Sequence, residues 1–193
     1  AWSLRDTRSL GPYLRVTPSV SGNVAWFHED NRERMNQVGG TWSASVSAGN
    51  TLYGTLPFGA GPLAGVRHVV EPSVSYSYQP EFESLSYETE EMQADSTFRT
   101  VTRQTFPSVG GIGLSGSERK SLSLSLSQRI HTKWKRGETV VKKENVLSMD
   151  TSTSYNYLAK GEGVEKWSDL SNTVQLRPFN TFNSSYRFSV DPY

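Results

Sequence analysis

The chain has 193 residues, enough for one ordinary domain or for a piece of a larger one, and its 20 Lys and Arg against 19 Asp and Glu leave a net charge of +1. That balance gives no basis for nucleic-acid binding, and the absence of cysteine excludes disulfides, thiolate nucleophiles and cysteine metal sites. No apolar stretch approaches the ~20 residues of a membrane helix; the nearest, residues 58–66, is interrupted by three glycines and a proline. A mean hydropathy of −0.54 and a hydrophobic fraction of 35% would pass for a soluble protein, but a chain whose strands carry one polar face gives the same values.

Successive side chains of a β-strand point to opposite faces, so alternation along the sequence sorts residues by face. Residues 14–26 place Leu14, Val16, Val20, Val24 and Trp26 against Arg15, Thr17, Ser19, Ser21 and Asn23. Residues 42–52 place Trp42, Ala44, Val46, Ala48 and Leu52 against Ser43, Ser45, Ser47 and Thr51. Residues 70–78 oppose Val70, Val74, Tyr76 and Tyr78 to Glu71, Ser73, Ser75 and Ser77. A strand of poor period is expected within residues 96–106. The clearest alternation is the Ser-Leu run from Ser121 to Ser127; residues 122–134 set Leu122, Leu124, Leu126, Ile130 and Trp134 against Ser123, Ser125, Ser127, Arg129 and Lys133. Residues 147–157 oppose Leu147, Met149, Tyr155 and Tyr157 to Ser148, Asp150, Ser152, Ser154 and Asn156. Leu170, Val174 and Leu176 oppose Ser171, Thr173, Gln175 and Arg177; Phe182, Tyr186, Phe188 and Val190 oppose Asn183, Ser185, Arg187 and Ser189.

About eight such segments, several longer than the roughly 5–6 residues usual for a strand, with small hydroxyls on one face, are the signature of an antiparallel transmembrane β-barrel. The fold expected is therefore all-β, a barrel segment spanning residues 1–193 as one unit. Pro18 and Pro72 fall inside strands and, lacking an N–H, predict a bulge or local edge at each. The start Ala1-Trp2-Ser3 carries neither a basic n-region nor an apolar h-region, so the chain is expected to be an internal fragment of a larger barrel.

The connections alternate in character. Residues 28–38, 81–95 and beyond, and 159–166 are long, polar or both; residues 53–65, 136–143 and 178–180 form the other set. Barrels have longer outer loops and shorter periplasmic turns, which places the two sets at opposite ends. Trp26, Trp42, Tyr76, Tyr78, Tyr155 and Tyr157 then lie on apolar faces near the outer loops, where a girdle of aromatic rings is expected at headgroup depth; core aromatics of a soluble sandwich are the bland alternative. The facing that follows puts Ser43, Ser45, Ser47, Ser73, Ser75, Ser77, Ser123, Ser125, Ser127, Ser152 and Ser154 toward a lumen. It puts Trp26, Trp42, Val46, Val74, Tyr76, Tyr78, Leu122, Leu124, Leu126, Trp134, Tyr155 and Tyr157 toward lipid or the girdle.

Little in the chain suggests catalysis. Gly111-Ile112-Gly113-Leu114-Ser115-Gly116 fits G-x-G-x-x-G, but a strand follows where a dinucleotide fold needs a helix, so a loop is the better reading. His28, His68 and His131 have no i, i+4 partner and no nucleophile elbow. No catalytic, cofactor-binding or metal residues are assigned. Glu81, Glu83, Glu88, Glu90, Glu91 and Asp95 could share divalent cations with surface phosphates, although a solvated loop is favoured. Lys133, Lys135, Arg136, Lys142 and Lys143 would lie at the opposite end, near anionic headgroups or a partner, with a solvated turn nearly as good an account. Asn183-Ser184-Ser185 fits a glycosylation sequon but is set in a strand and is discounted.

Several segments together resemble the barrel domain of the LptD (OstA) family of lipopolysaccharide-assembly outer-membrane proteins. They are Leu52-Tyr53-Gly54-Thr55; the run from Val66-Arg67-His68 through Pro72-Ser73-Val74-Ser75-Tyr76-Ser77-Tyr78; the strand at 121–129; Ser154-Tyr155-Asn156-Tyr157; Trp167-Ser168-Asp169-Leu170-Ser171; and Ser189-Val190-Asp191-Pro192-Tyr193. The resemblance implies a very large barrel plugged by a lipoprotein, fed with lipopolysaccharide by a periplasmic domain and bridge proteins, and releasing it through a lateral gate into the outer leaflet. The periplasmic domain and the closing strands are expected to lie outside these residues, and the cysteines of some members have no counterpart here. The implied role is a translocon component without enzymatic activity or cofactor, in contact with lipopolysaccharide, outer-membrane lipid, the plug and the bridge. A passive porin or small eight-stranded barrel is the alternative, and a soluble β-sandwich binding module the third.

Overall fold

The computed structural model describes residues 1–58, 61–93, 97–107, 114, 116–161, 164–179 and 181–193. Its strands are β1 (Trp2–Arg5), β2 (Arg8–Leu10), β3 (Leu14–Glu29), β4 (Met35–Gly49), β5 (Leu52–Pro57) and β6 (Leu63–Gln79). They continue as β7 (Ser86–Met92), β8 (Phe98–Gln104), β9 (Arg119–Arg136), β10 (Thr139–Asn156), β11 (Leu170–Phe179) and β12 (Phe182–Val190). The one helical element among the described residues is a single 3₁₀ turn, Glu83–Leu85. Ten strands form an antiparallel sheet in the order β1-β3-β4-β6-β9-β10-β11-β12, with β2 paired to β3 and β5 to β6. The order has two ends, β1 and β12, and closes no barrel among the described residues. The all-β architecture with long antiparallel strands is as the alternation predicts.

The two prolines explain how the sheet is cut. Asp6 N–H donates to the Pro18 carbonyl at 3.2 Å, and Asn50 N–H to the Pro72 carbonyl at 3.1 Å. Neither proline can donate back, so the neighbouring strand loses its reciprocal bond there. Opposite Pro18 the partner divides into β1 and β2, and opposite Pro72 into β4 and β5. The segment expected as one strand over 42–52 is therefore two.

Other boundaries differ from the sequence expectation for equally local reasons. The loop expected over 28–38 shrinks to residues 30–34 because Asp30 builds a turn. Its Oδ1 accepts from the N–H groups of Arg32 and Arg34, each at 2.9 Å, and its Oδ2 from Arg34 Nε at 2.8 Å. Burial of the carboxyl opposes its ionisation, but these donors and the Arg34 charge outweigh that and hold Asp30 below the usual carboxylate range. The connection expected over 136–143 reduces to a turn at Gly137-Glu138, with Gly137 at φ +64°. Part of the acidic stretch is strand β7, and Glu91 pairs with Arg103 of β8. The strand expected within 96–106 is present as β8 but pairs with β7 in a separate two-stranded sheet. Asp95, Gly111, Ile112, Gly113 and Ser115 lie outside the described residues, and with them the reading of the glycine motif.

Contacts group the chain into two units. The first comprises Ala1–Asp6, Pro18–Val46 and Ser77–Lys120; the second Thr7–Thr17, Ser47–Tyr76 and Ser121–Tyr193. The first holds a small apolar core of Phe27, Leu85, Phe106 and Leu114, with Ala25 and Phe82 packed against it. Phe27 and Phe106 stack with centroids 4.6 Å apart. Gly39 makes room for this core: a Cβ there would lie 2.6 Å from Leu114 Cδ1. Asn31 N–H donates to Thr105 O at 2.8 Å, and Tyr87 Oη to Asn31 O at 3.2 Å, fastening Tyr87 of β7 and Thr105 after β8 to the Asp30 turn. The second unit has no comparable apolar core among the described residues; Val69 is its one buried large hydrophobic side chain.

Candidate functional site: two faces of one sheet

The hydroxyl face is built by register. In the first unit Ser45 Oγ bonds Ser19 Oγ at 2.7 Å and Ser43 Oγ bonds Ser21 Oγ at 3.1 Å, so the serines of β3 and β4 share a face. In the second, Ser73 Oγ of β6 bonds Ser125 Oγ of β9 at 2.6 Å. Across β9 and β10 the direct partners are Ser123 with Ser154, Ser125 with Ser152, and Ser127 with Asp150. Ser127 Oγ donates to Asp150 Oδ1 at 2.6 Å, and Ser47 Oγ to Thr17 O at 3.4 Å. Ser75 and Ser77 continue the parity of Ser73 along β6. Short hydroxyls satisfied by one another across neighbouring strands give a surface that is polar yet only weakly adhesive, since each bond exchanges readily with water.

This face also carries charge that a search for serines misses. Arg129 pairs with Glu71 at 2.8 Å, and a groove of about 550 Å³ in the second unit is lined by Thr17, Ser47, Glu71, Ser73, Ser125 and Ser127 among others. The signal was available: Glu71 has the parity of Ser73, and Arg129 that of Ser127.

The opposite face is apolar and open. Leu122 stands opposite Tyr155, and Leu147 opposite both Ile130 and Leu176. Trp26, Trp42, Val46 and Trp134 are 61%, 42%, 41% and 39% exposed, and Val74 and Tyr157 are exposed as well. The face is largely apolar, with charge at Arg8 opposite Val16 and at Lys143 opposite Thr132, and it is not covered as a buried sheet would be. Its aromatic rings are clustered: Trp42 meets Tyr78 edge-on at 6.3 Å in the first unit, and Tyr155 contacts Tyr157 at 4.9 Å and Trp167 at 5.0 Å in the second, where Tyr76 meets Tyr157 at 6.1 Å. In β11 one polar residue interrupts the apolar row of Leu170, Val174 and Leu176. Asn172 is 3% exposed; its Oδ1 accepts from Thr151 Oγ1 at 2.8 Å and its Nδ2 donates to Leu170 O at 3.0 Å. Internal satisfaction is what a polar side chain needs on a face without water.

No group of three or more His, Asp or Glu side chains among the described residues is placed to hold a metal ion. His28 lies beside Trp26, with rings 6.1 Å apart, and His131 Nδ1 accepts from Asn145 N–H at 3.2 Å. No helix among the described residues is long and apolar enough to cross a membrane, which says nothing of crossing by strands.

The family model of the LptD protein matches residues 4–193. No match to the chain is found among curated proteins or solved structures.

Proposed function

The chain belongs to the LptD protein family, and from that premise we propose that it is a length of barrel wall in an outer-membrane translocon that inserts lipopolysaccharide into the outer leaflet. The family serves lipopolysaccharide transport and assembly at the outer membrane of Gram-negative bacteria and is not an enzyme family. The observation that carries the finer reading is the sorting of two chemistries onto two faces, with exposed Trp, Val and Tyr side chains on one and mutually bonded serines on the other. The apolar face meets hydrocarbon, and its aromatic rings sit at headgroup depth. The hydroxyl face lines the lumen, where Ser43, Ser45, Ser47, Ser73, Ser75, Ser77, Ser123, Ser125, Ser127, Ser152 and Ser154 leave room for sugar and release it. Work of this kind is geometry and solvation, and no bond is made or broken. Residues 1–193 act as a single stretch of wall, completed by further strands and partnered by a lipoprotein plug and periplasmic bridge proteins.

Depletion of the protein containing this segment tests the reading. Newly made lipopolysaccharide should remain in the periplasm or inner membrane and vanish from the cell surface. Unchanged surface lipopolysaccharide together with slower uptake of small solutes would replace the translocon with a passive porin.

A further inference from the structure

At the short-turn end of β9 and β10 the hydroxyl face changes character. Lys133 and Lys142 stand directly opposite each other in register. Like charges at opposed positions of an antiparallel pair repel, and neither lysine makes an ion pair or hydrogen bond among the described residues. Their neighbour Lys143 is spent otherwise, its Nζ donating to Pro178 O at 3.0 Å and lying 4.9 Å over the Phe179 ring. Lys133 and Lys142 share a cavity of about 240 Å³ with Arg67, His131 and Glu144. Arg67 is held from behind, its guanidinium 4.5 Å over the Tyr53 ring, which orients it without using its N–H donors.

The backbone beside the cavity is built rather than incidental. The β9–β10 register shifts between Lys143 and Leu147, and Asn145 takes φ +52° within that bulge. Its N–H reaches His131 Nδ1 at 3.2 Å. A neutral imidazole that accepts at Nδ1 carries its proton on Nε2, so His131 is a further donor. Arg67, Lys133, Lys142 and one imidazole donor therefore converge with Lys143 beside a single carboxylate, Glu144, and the cavity keeps an excess of positive charge. Planar guanidinium and mobile ammonium groups together suit a tetrahedral oxyanion of more than one charge.

We propose that Arg67, Lys133 and Lys142, with His131, form a phosphate-binding site on the hydroxyl face, and that its ligand is a phosphate group of lipopolysaccharide. The assignment of the ligand rests on the translocon reading above; the oxyanion chemistry rests on the cavity. The site holds the charged part of the glycolipid at one end of the serine-lined wall, a station before a surface that binds sugar only weakly.

The test uses the full-length protein containing this segment, in detergent, titrated with lipopolysaccharide, with the same preparation stripped of phosphate, with phosphatidylglycerol and with inorganic phosphate. Intact lipopolysaccharide should bind at least tenfold more tightly than the stripped form, with inorganic phosphate competing, and Lys133→Gln/Lys142→Gln should abolish that preference. Lys160→Gln, which removes one loop charge, should not. Lys133→Arg/Lys142→Arg should retain the preference, which separates loss of the site from loss of folding. An unchanged preference in the Gln variant overturns the site, and a change confined to phosphatidylglycerol overturns lipopolysaccharide as its ligand. Either result leaves the translocon standing if depletion still removes lipopolysaccharide from the surface; that reading fails only on the depletion.

Discussion

The β9–β10 pair and the segment around Leu85 use apolar side chains in opposite ways. In β9, Leu122, Leu124 and Leu126 all stand on one face and none is fully buried, while between them Ser123 stands opposite Ser154 and Ser125 bonds across to Ser73 of β6. Around the 3₁₀ turn, Leu85 is 1% exposed and packs with Phe27, Phe106 and Leu114 in a conventional core. The first arrangement is stable where the apolar face meets something other than water; the second carries its own apolar interior. Strand alternation alone specifies the first, because parity decides facing. The second needs residues far apart in sequence to meet, and depends on small residues to let them, Gly39 beside Leu114 and Gly116 beside Phe82 and Leu85.

The comparison can be broken at Leu85 first. Leu85→Ala should destabilise the local core by about 2–5 kcal/mol, since it removes a fully buried side chain. Proteolysis or amide exchange of the full-length protein should show β7 and β8 opening while the heat-modifiable mobility of the barrel is retained. Loss of the whole barrel would mean that the wall depends on that core. Next is Val74→Arg, which should cost about 2–4 kcal/mol in lipid-vesicle unfolding if Val74 lies near the midplane, with Ser75→Arg costing much less. Equal penalties would remove the assigned parity. Gly39→Ala should cost about 1–3 kcal/mol by overpacking against Leu114 and Phe106, seen as faster exchange around Leu114. Ser125→Ala, which removes the Ser73 bond on a polar face, should cost no more than about 1 kcal/mol.

The Asp30 turn adds a pH dependence confined to one end of β3. Its folded carboxyl titrates below the unfolded value of about 3.9. The stabilisation is thus fully present above that value and is lost as pH falls through the lower folded one. Amide protection at Arg32 and Arg34 should hold at pH 5 and fall in more acidic solution, and Asp30→Asn should flatten that dependence.

The wall was legible because a period of two in the sequence is also the period of the structure: Ser43 with Ser21 and Ser123 with Ser154 follow from parity and a hairpin. The prolines were legible as interruptions, although not as the points where the adjacent strand divides. What the sequence concealed was non-local. The acidic run at Glu88 to Glu91 looked like solvated loop because its alternation is polar on both faces, yet it pairs with residues 99–102 as strand. Nothing local to Asn172 announces its partner Thr151, which only the pairing of β10 with β11 brings alongside. The Lys133 and Lys142 pair was legible as basic composition but not as a shared cavity, since only the turn at Gly137 and the bulge at Asn145 bring it about.

The central claim is that adjacent residues of one strand meet different media. Photo-crosslinkers placed singly at Ser45, Val46, Leu124 and Ser125 of the full-length protein in cells test it most directly. Ser45 and Ser125 should capture lipopolysaccharide or the lipoprotein plug, and Val46 and Leu124 should capture membrane lipid. Crosslinking that ignored parity, or that was reversed between the two pairs, would contradict the account.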